Sequence, residues 1–231
     1  MIDPGRREAG ESLAALPRLR QDDPFPFVCA GCGSCCRERR DLLLSGYDLY
    51  RLARRLDLPP RLVADAFCRQ GIGSQTLLPT LVLRPNSRTG DCPFFEANAC
   101  TVHTARPLAC ALYPLGQEID PGTGRMEYYL QTPVCGAQDP DEGRTLRRYL
   151  EDAGVQERSG IDARWAVVCT ELSQLLAEAG GTRHPRFRPA VRRAARALYF
   201  DYSIRDDFYP QFTDNVKTLF PLLRQLLSLP E

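Results

Sequence analysis

Lysine is almost missing from this chain: Lys217 is the only one, and arginine supplies the rest of the positive charge. Net charge is missing as well. The 30 basic residues against 29 acidic ones leave +1, so no bulk field draws the protein to nucleic acid or to an anionic membrane. No apolar run is long enough to span a bilayer, and the last apolar stretch, LFPLLRQLLSLP, is broken by Pro221 and Arg224. The opening segment, MIDPGRREAGESLAALPRLRQDDPF, lacks an apolar core of signal-peptide length and mixes acids among its arginines. Repeats, low-complexity tracts and a nucleotide-binding glycine fingerprint are all lacking; Gly71-Ile72-Gly73 alone is too little for one. The expectation from these absences is a cytoplasmic protein that makes no membrane contact.

Cysteine, by contrast, is plentiful, with ten in the chain. A composition of 43% hydrophobic and 26% charged residues is that of a globular protein with a real core. At 231 residues no disulfide staples are needed to replace that core. In a reducing compartment, clustered cysteines bind metal or do redox work more often than they form structural disulfides.

Local patterning divides the chain into a poorly ordered arm over residues 1–24, a cysteine-rich domain over 25–180 and a helical C-terminal extension over 181–231. A short helix is expected around ESLAALPRLR within the arm. Ser45 with Asp48 resembles a capping box, and Leu49, Leu52, Ala53 and Leu56 repeat on one helical face behind it. LDLPP stops that helix and Pro60 can open another. TLLPTLVLRP and RMEYYLQT suit strands, and residues 91–116 between them read as loop. RTLRRYLEDAG, RWAVVCTELSQLLAEAG, AVRRAARALYFDYS and Asp207–Leu229 read as helices, the last kinked at Pro210 and Pro221. The fold class expected is α+β: a loop-rich metal-binding domain with short strands and flanking helices, then more helix.

The stretch CAGCGSCC places Cys29, Cys32, Cys35 and Cys36 within eight residues. Two intervening residues let successive sulfurs turn towards one centre, and Gly31 and Gly33 relieve the backbone. Three thiols spaced in this way, with a Cys-Pro elsewhere at Cys92-Pro93, are the ingredients of a bacterial-type iron–sulfur run, although Cys92 lies far along the chain. Spacing alone leaves zinc open. Cys35 and Cys36 are adjacent, with Cα atoms about 3.8 Å apart, too close for an unstrained disulfide. One of the two would point into a site formed by Cys29 and Cys32, and the other would serve a second ion, a distal ligand set or neither. The radical S-adenosylmethionine pattern, C-x3-C-x2-C, is one residue longer than the spacing found here.

With GDCPFFEANACTVHTARPLACALYP following CAGCGSCC, the chain resembles the YkgJ-like CxxCxxCC family of zinc- or iron-chelating domains. The matching positions are Cys29, Cys32, Cys35, Cys36, Cys92, Pro93, Phe94, Cys100, Arg106, Pro107, Cys110, Tyr113 and Pro114. Cys135 falls where many members carry a further cysteine. His103 stands at a position usually Tyr, and Phe95 at one usually Leu. The likeness covers about residues 27–140 and includes the helical insert SGYDLYRLARRLDLPPRLVADAF. It implies a metal centre held by Cys29, Cys32, Cys35, Cys36, Cys92, Cys100, Cys110 and Cys135, an iron–sulfur cluster (4Fe-4S preferred) or else zinc. Flagellin lysine-N-methylases carry the same cysteine motif in a longer chain, which makes a methyltransferase-like enzyme the alternative to a binding or electron-transfer protein with a redox partner.

The remaining candidates have competing readings. Cys68 and Cys169 lie on apolar helical stretches and read as small buried hydrophobes. His103 could complete a Cys3His site, or could only pack and hydrogen-bond nearby. Arg106 is the candidate cofactor-binding residue, balancing thiolate charge; its alternative role is to bind backbone carbonyls of its own loop. Arg183, Arg186, Arg188, Arg192, Arg193 and Arg196 are diluted by Asp201, Asp206 and Asp207, so they read as a solvated face rather than a nucleic-acid surface.

Overall fold

The structure, a computed structural model, describes residues 16–29, 31–37, 42–131, 137–138 and 143–229. It is α+β. Four antiparallel strand groups are made by β1 (Arg18–Leu19), β2 (Phe27–Val28), β3 (Leu43–Leu44), β4 (Cys68–Ile72), β5 (Pro79–Leu83), β6 (Phe95–Glu96), β7 (Ala99–Cys100), β8 (Leu115–Ile119), β9 (Met126–Leu130) and β10 (Ala137–Gln138). Their orders are β1-β9-β8, β10-β2, β3-β5-β4 and β6-β7. The helices are α1 (Gly46–Leu56), α2 (Pro60–Phe67), α3 (Leu108–Leu112), α4 (Leu146–Asp152), α5 (Val155–Glu178), α6 (Phe187–Ala195) and α7 (Phe208–Leu227).

The capping box forms as expected. Asp48 N–H donates to Ser45 Oγ at 3.1 Å, and the Asp48 carboxylate accepts from Ser45 N at 3.0 Å. Pro60 occupies the first turn of α2, where its missing N–H costs nothing. In β5, Pro79, Leu81 and Leu83 alternate inwards, the period-2 pattern of a half-buried strand. This strand lies in the middle of its sheet and meets α6 on one face.

Several elements differ from the sequence expectation. Arg18–Leu19, inside the expected helix, pairs instead with Tyr128 and Tyr129, because edge pairing to β9 outweighs weak local helix preference. Cys68 lies at the C-cap of α2 and opens β4 rather than standing on a helical face. The stretch read as loop, 91–116, contains a hairpin and α3, elements too short to leave a periodic signal. The helix expected from Ala190 starts at Phe187 and passes into a π-turn over Arg196–Phe200.

Two cores result. The larger joins α1, α2 and the β3-β5-β4 sheet to the second half of α5 and to α6 and α7, with Leu49, Leu52, Val63, Leu172, Phe212 and Leu223 fully buried. The smaller gathers Phe25, Leu112, Leu115, Tyr128, Leu146, Tyr149 and Leu150. Helix α5 links them: Val155 belongs to the smaller core and Val168 to the larger. Among the described residues no helix is long and apolar enough to cross a membrane.

Candidate metal centre

Strand β2 leads to Cys29 at the surface, and two left-handed residues, Gly31 (φ 64°) and Gly33 (φ 71°), flank Cys32. At Gly33 a side chain is excluded twice over: the backbone is left-handed, and a Cβ would stand 2.3 Å from the Phe95 ring. The 3₁₀ turn Ser34–Cys36 follows, with Cys36 N–H donating to the Gly33 carbonyl at 2.9 Å. Cys32 Sγ lies 3.3 Å from Ser34 Oγ.

The second cysteine group docks on this turn through backbone. Cys92 N–H donates to the Cys36 carbonyl at 2.8 Å, and Phe95 N–H donates to the Cys92 carbonyl at 3.0 Å. Phe95 then pairs with Cys100 across the β6-β7 hairpin, whose turn residues Ala97 and Asn98 both have positive φ. Arg37 clamps the two groups from outside, its guanidinium 4.8 Å above the Phe95 ring and donating to Asn98 Oδ1 at 2.9 Å. Cys36, Cys92 and Cys100 thus share one backbone seam.

Cys110 is carried by α3, which Pro107 precedes as its N-cap. Its first N–H, that of Leu108, donates to Asp48 Oδ1 at 2.9 Å. Asp48 also accepts from Arg158 Nη1 at 2.8 Å, and Arg158 forks onto Asp162 at 2.7 and 2.9 Å. Although burial opposes its charge, the two carboxylates raise the Arg158 pKa above its ordinary value. Burial likewise holds Asp162 above the usual carboxylate range, against the pull of Arg158.

Behind the cysteine turn stands Tyr149. Its hydroxyl donates to the Tyr113 carbonyl at 2.5 Å, with the Ala111 carbonyl at 3.2 Å, and its ring packs edge-on to Phe25 and Phe27. Its pKa is pushed up to about 12, first by burial; Arg106 opposes this, and Cys29 and Cys35 add to it. Cys29, Cys35 and Arg106 therefore lie within electrostatic reach of one hydroxyl that is bonded to the chain just after Cys110.

Arg106 faces His103. Its Nη1 is 2.8 Å from His103 Nε2, so the guanidinium donates to an imidazole nitrogen. Burial, then Arg106, lowers the His103 pKa. This engages one of the two ring nitrogens through which a histidine can ligate a metal, and it is the nearby hydrogen-bonding role that the structure shows. Cys68 and Cys169 stand apart from the seam, and burial pushes each thiol up to about 12, with Arg84 opposing it at Cys68.

A family model named CxxCxxCC, "Putative zinc- or iron-chelating domain", matches residues 28–136. No curated protein and no solved structure matches the chain. The match covers the cysteine turn, the seam and α3, and the description it carries is that of a metal-chelating domain.

The nine described cysteines are thiols rather than disulfides, so the donor set has the chemistry that zinc or iron requires. Among the described residues no three of Cys, His, Asp and Glu converge tightly enough to define an ion position. Backbone and aromatic packing bring the loops of Cys29, Cys35, Cys36, Cys92, Cys100 and Cys110 together. Cys135 lies outside the described residues; Ala137, two residues further on, pairs with Val28 beside Cys29. Two contributors, Asp48 and Tyr149, were not legible as site residues. Asp48 carried only a capping signal, and Tyr149 comes after the cysteine motif, on a helix with no pattern that links it to thiols.

Proposed function

We propose that the CxxCxxCC domain holds an iron–sulfur cluster and serves as a binding or electron-transfer module for a protein redox partner. The observation that carries this reading is the seam. The Cys29-x2-Cys32-x2-Cys35 turn is joined through Cys36 to Cys92, a cysteine followed by proline, so the ingredients of a cluster-binding run meet in space although they are split in sequence. Cys29, Cys32, Cys35, Cys92, Cys100, Cys110 and Cys135 are the candidate thiolates, with Cys36 as the spare or second-site ligand. A bound cluster would supply one-electron chemistry. The chain's own residues orient the loops: Arg37 and Phe95 lock the turn to the hairpin, Tyr149 fixes the segment after Cys110, and Arg106, like Cys29 and Cys35, lies within electrostatic reach of the Tyr149 hydroxyl. Cys68 and Cys169 are left out of the set because both pack with the larger apolar core, as small hydrophobes do.

The test is anaerobic purification followed by a visible spectrum, iron and zinc analysis and an acid-labile sulfide assay. A brown protein containing iron and sulfide is expected. Cys29→Ser, Cys32→Ser, Cys92→Ser and Cys110→Ser should each lower metal content, whereas Cys68→Ser and Cys169→Ser should leave it unchanged. A colourless protein with stoichiometric zinc and no sulfide would replace the cluster with a zinc site on the same cysteines.

A further inference from the structure

Beside α3, the fold holds open a cavity of about 550 Å³ whose lining includes none of the candidate metal-binding cysteines. Its walls come from separate parts of the chain: Leu108 and Leu112 of α3, Leu44 of β3, Leu115 of β8, Trp165 of α5 and Tyr199 of the π-turn. Protein interiors are otherwise close-packed, and this volume lies within the range of small-molecule sites. A gap walled by so many independent elements is a property of the whole architecture rather than a fault in one contact.

The chemistry of the lining selects the occupant. Asp48 is the only described lining residue charged at neutral pH, and its oxygens already accept from Ser45, Leu108 and Arg158. No charge is left for an ionic ligand, so a charged molecule would lose its hydration without a counter-ion. Aromatic rings and leucines cover most of the surface. Two polar groups at the wall, the Trp165 indole N–H and the Gln131 side-chain amide, donate to no described residue. Such a lining suits an apolar ligand carrying a neutral hydrogen-bonding group.

We propose that this cavity is a second binding site, separate from the metal centre, for an uncharged, largely aromatic small molecule. Trp165 is the chain's single tryptophan, so the site has a built-in reporter. The experiment titrates the purified full-length protein with the neutral fluorophore N-phenyl-1-naphthylamine, under excitation selective for tryptophan, and with the anion 1,8-ANS in parallel. Expected is saturable probe emission sensitised by Trp165, with the neutral dye bound in preference to the anion. Thr80→Phe on β5 and Ala109→Leu on α3, both at lining positions, should each weaken binding at least about tenfold. Leu62→Ala, at an exposed position outside the cavity, should not alter it. Absence of saturable sensitised emission overturns the proposal, as does undiminished binding to either filled variant that keeps the wild-type thermal midpoint. The readout involves no metal, so its failure leaves the cluster assignment standing and the reverse also holds.

Discussion

The Arg158 side chain is 2% exposed and lies between Asp48 and Asp162, so one positive charge serves two negative ones away from water. Breaking a buried ion group by removing one partner leaves the others desolvated and uncompensated, at a cost of about 3–5 kcal/mol. Arg158→Met should therefore lose stability of that order at neutral pH, measured by urea denaturation. The sign of its pH dependence follows from the carboxylates. Burial already raises the Asp162 pKa even with Arg158 present, and without the guanidinium, whose pull lowers it, that carboxyl would be raised further. A carboxyl whose folded pKa lies above the unfolded value, about 3.9 for Asp, stabilises fully only below that value and loses its contribution as pH rises through the folded pKa. The deficit of Arg158→Met should thus shrink as pH falls towards 4, and the combined change with Asp162→Asn should recover part of it at pH 7. A flat pH profile for the deficit would remove the carboxylates as its cause.

At the level of elements, α3 is the revealing case. It has five residues, Leu108–Leu112, far below the length at which a helix is stable in isolation, yet it carries Cys110. Its first N–H is held by Asp48 on α1, which also caps α1 and pairs with Arg158 on α5. Asp48→Ala should then weaken both the fold and metal retention, by loosening Cys110. Ser45→Ala removes only the capping hydroxyl and should cost about 1 kcal/mol with no change in metal retention. Chelator competition alongside urea denaturation separates the two; equal metal loss in both variants would mean that global stability, not α3, governs the site. The same scale explains what could be read beforehand. Ser45, Asp48 and Pro60 announced α1 and α2 through local hydrogen-bonding and φ preferences, and the strand-favouring residues of TLLPTLVLRP announced β5. The β6-β7 hairpin was silent because its turn puts Ala97, which has no intrinsic left-handed preference, at φ 47°. The cysteine positions were legible from spacing. The seam between Cys36 and Cys92 was not, since a backbone hydrogen bond between distant loops leaves no trace in either one.

For the molecule as a whole, the question is whether the metal-binding part stands alone. Patterning suggested a domain ending near residue 180 with a helical extension after it. In the structure α6 and α7 bury Phe187, Ala190, Ala194, Phe212 and Leu223 in the same core as Leu49, Leu52 and Val63 of α1 and α2. Tyr50 also donates to the Asp206 carbonyl, and Phe208 packs on Tyr47, Tyr50 and Tyr202. A chain ending at Gly180 would expose that apolar face of α1 and the β3-β5-β4 sheet. Fully burying a single large apolar side chain contributes about 1.5–3 kcal/mol, so losing several such partners exceeds the net stability of an ordinary domain. The Gly180-terminated chain should therefore lose cooperative thermal unfolding and bind a hydrophobic dye, even under anaerobic conditions with iron and sulfide supplied. The smaller core, built from Phe25, Leu146, Tyr149 and Leu150, would survive the truncation in sequence but would be attached to α5 without the partners of its second half. A truncated chain that unfolds cooperatively and retains wild-type metal content would instead show that binding energy at the cysteines alone organises residues 25–180, as it does in small metal-folded domains.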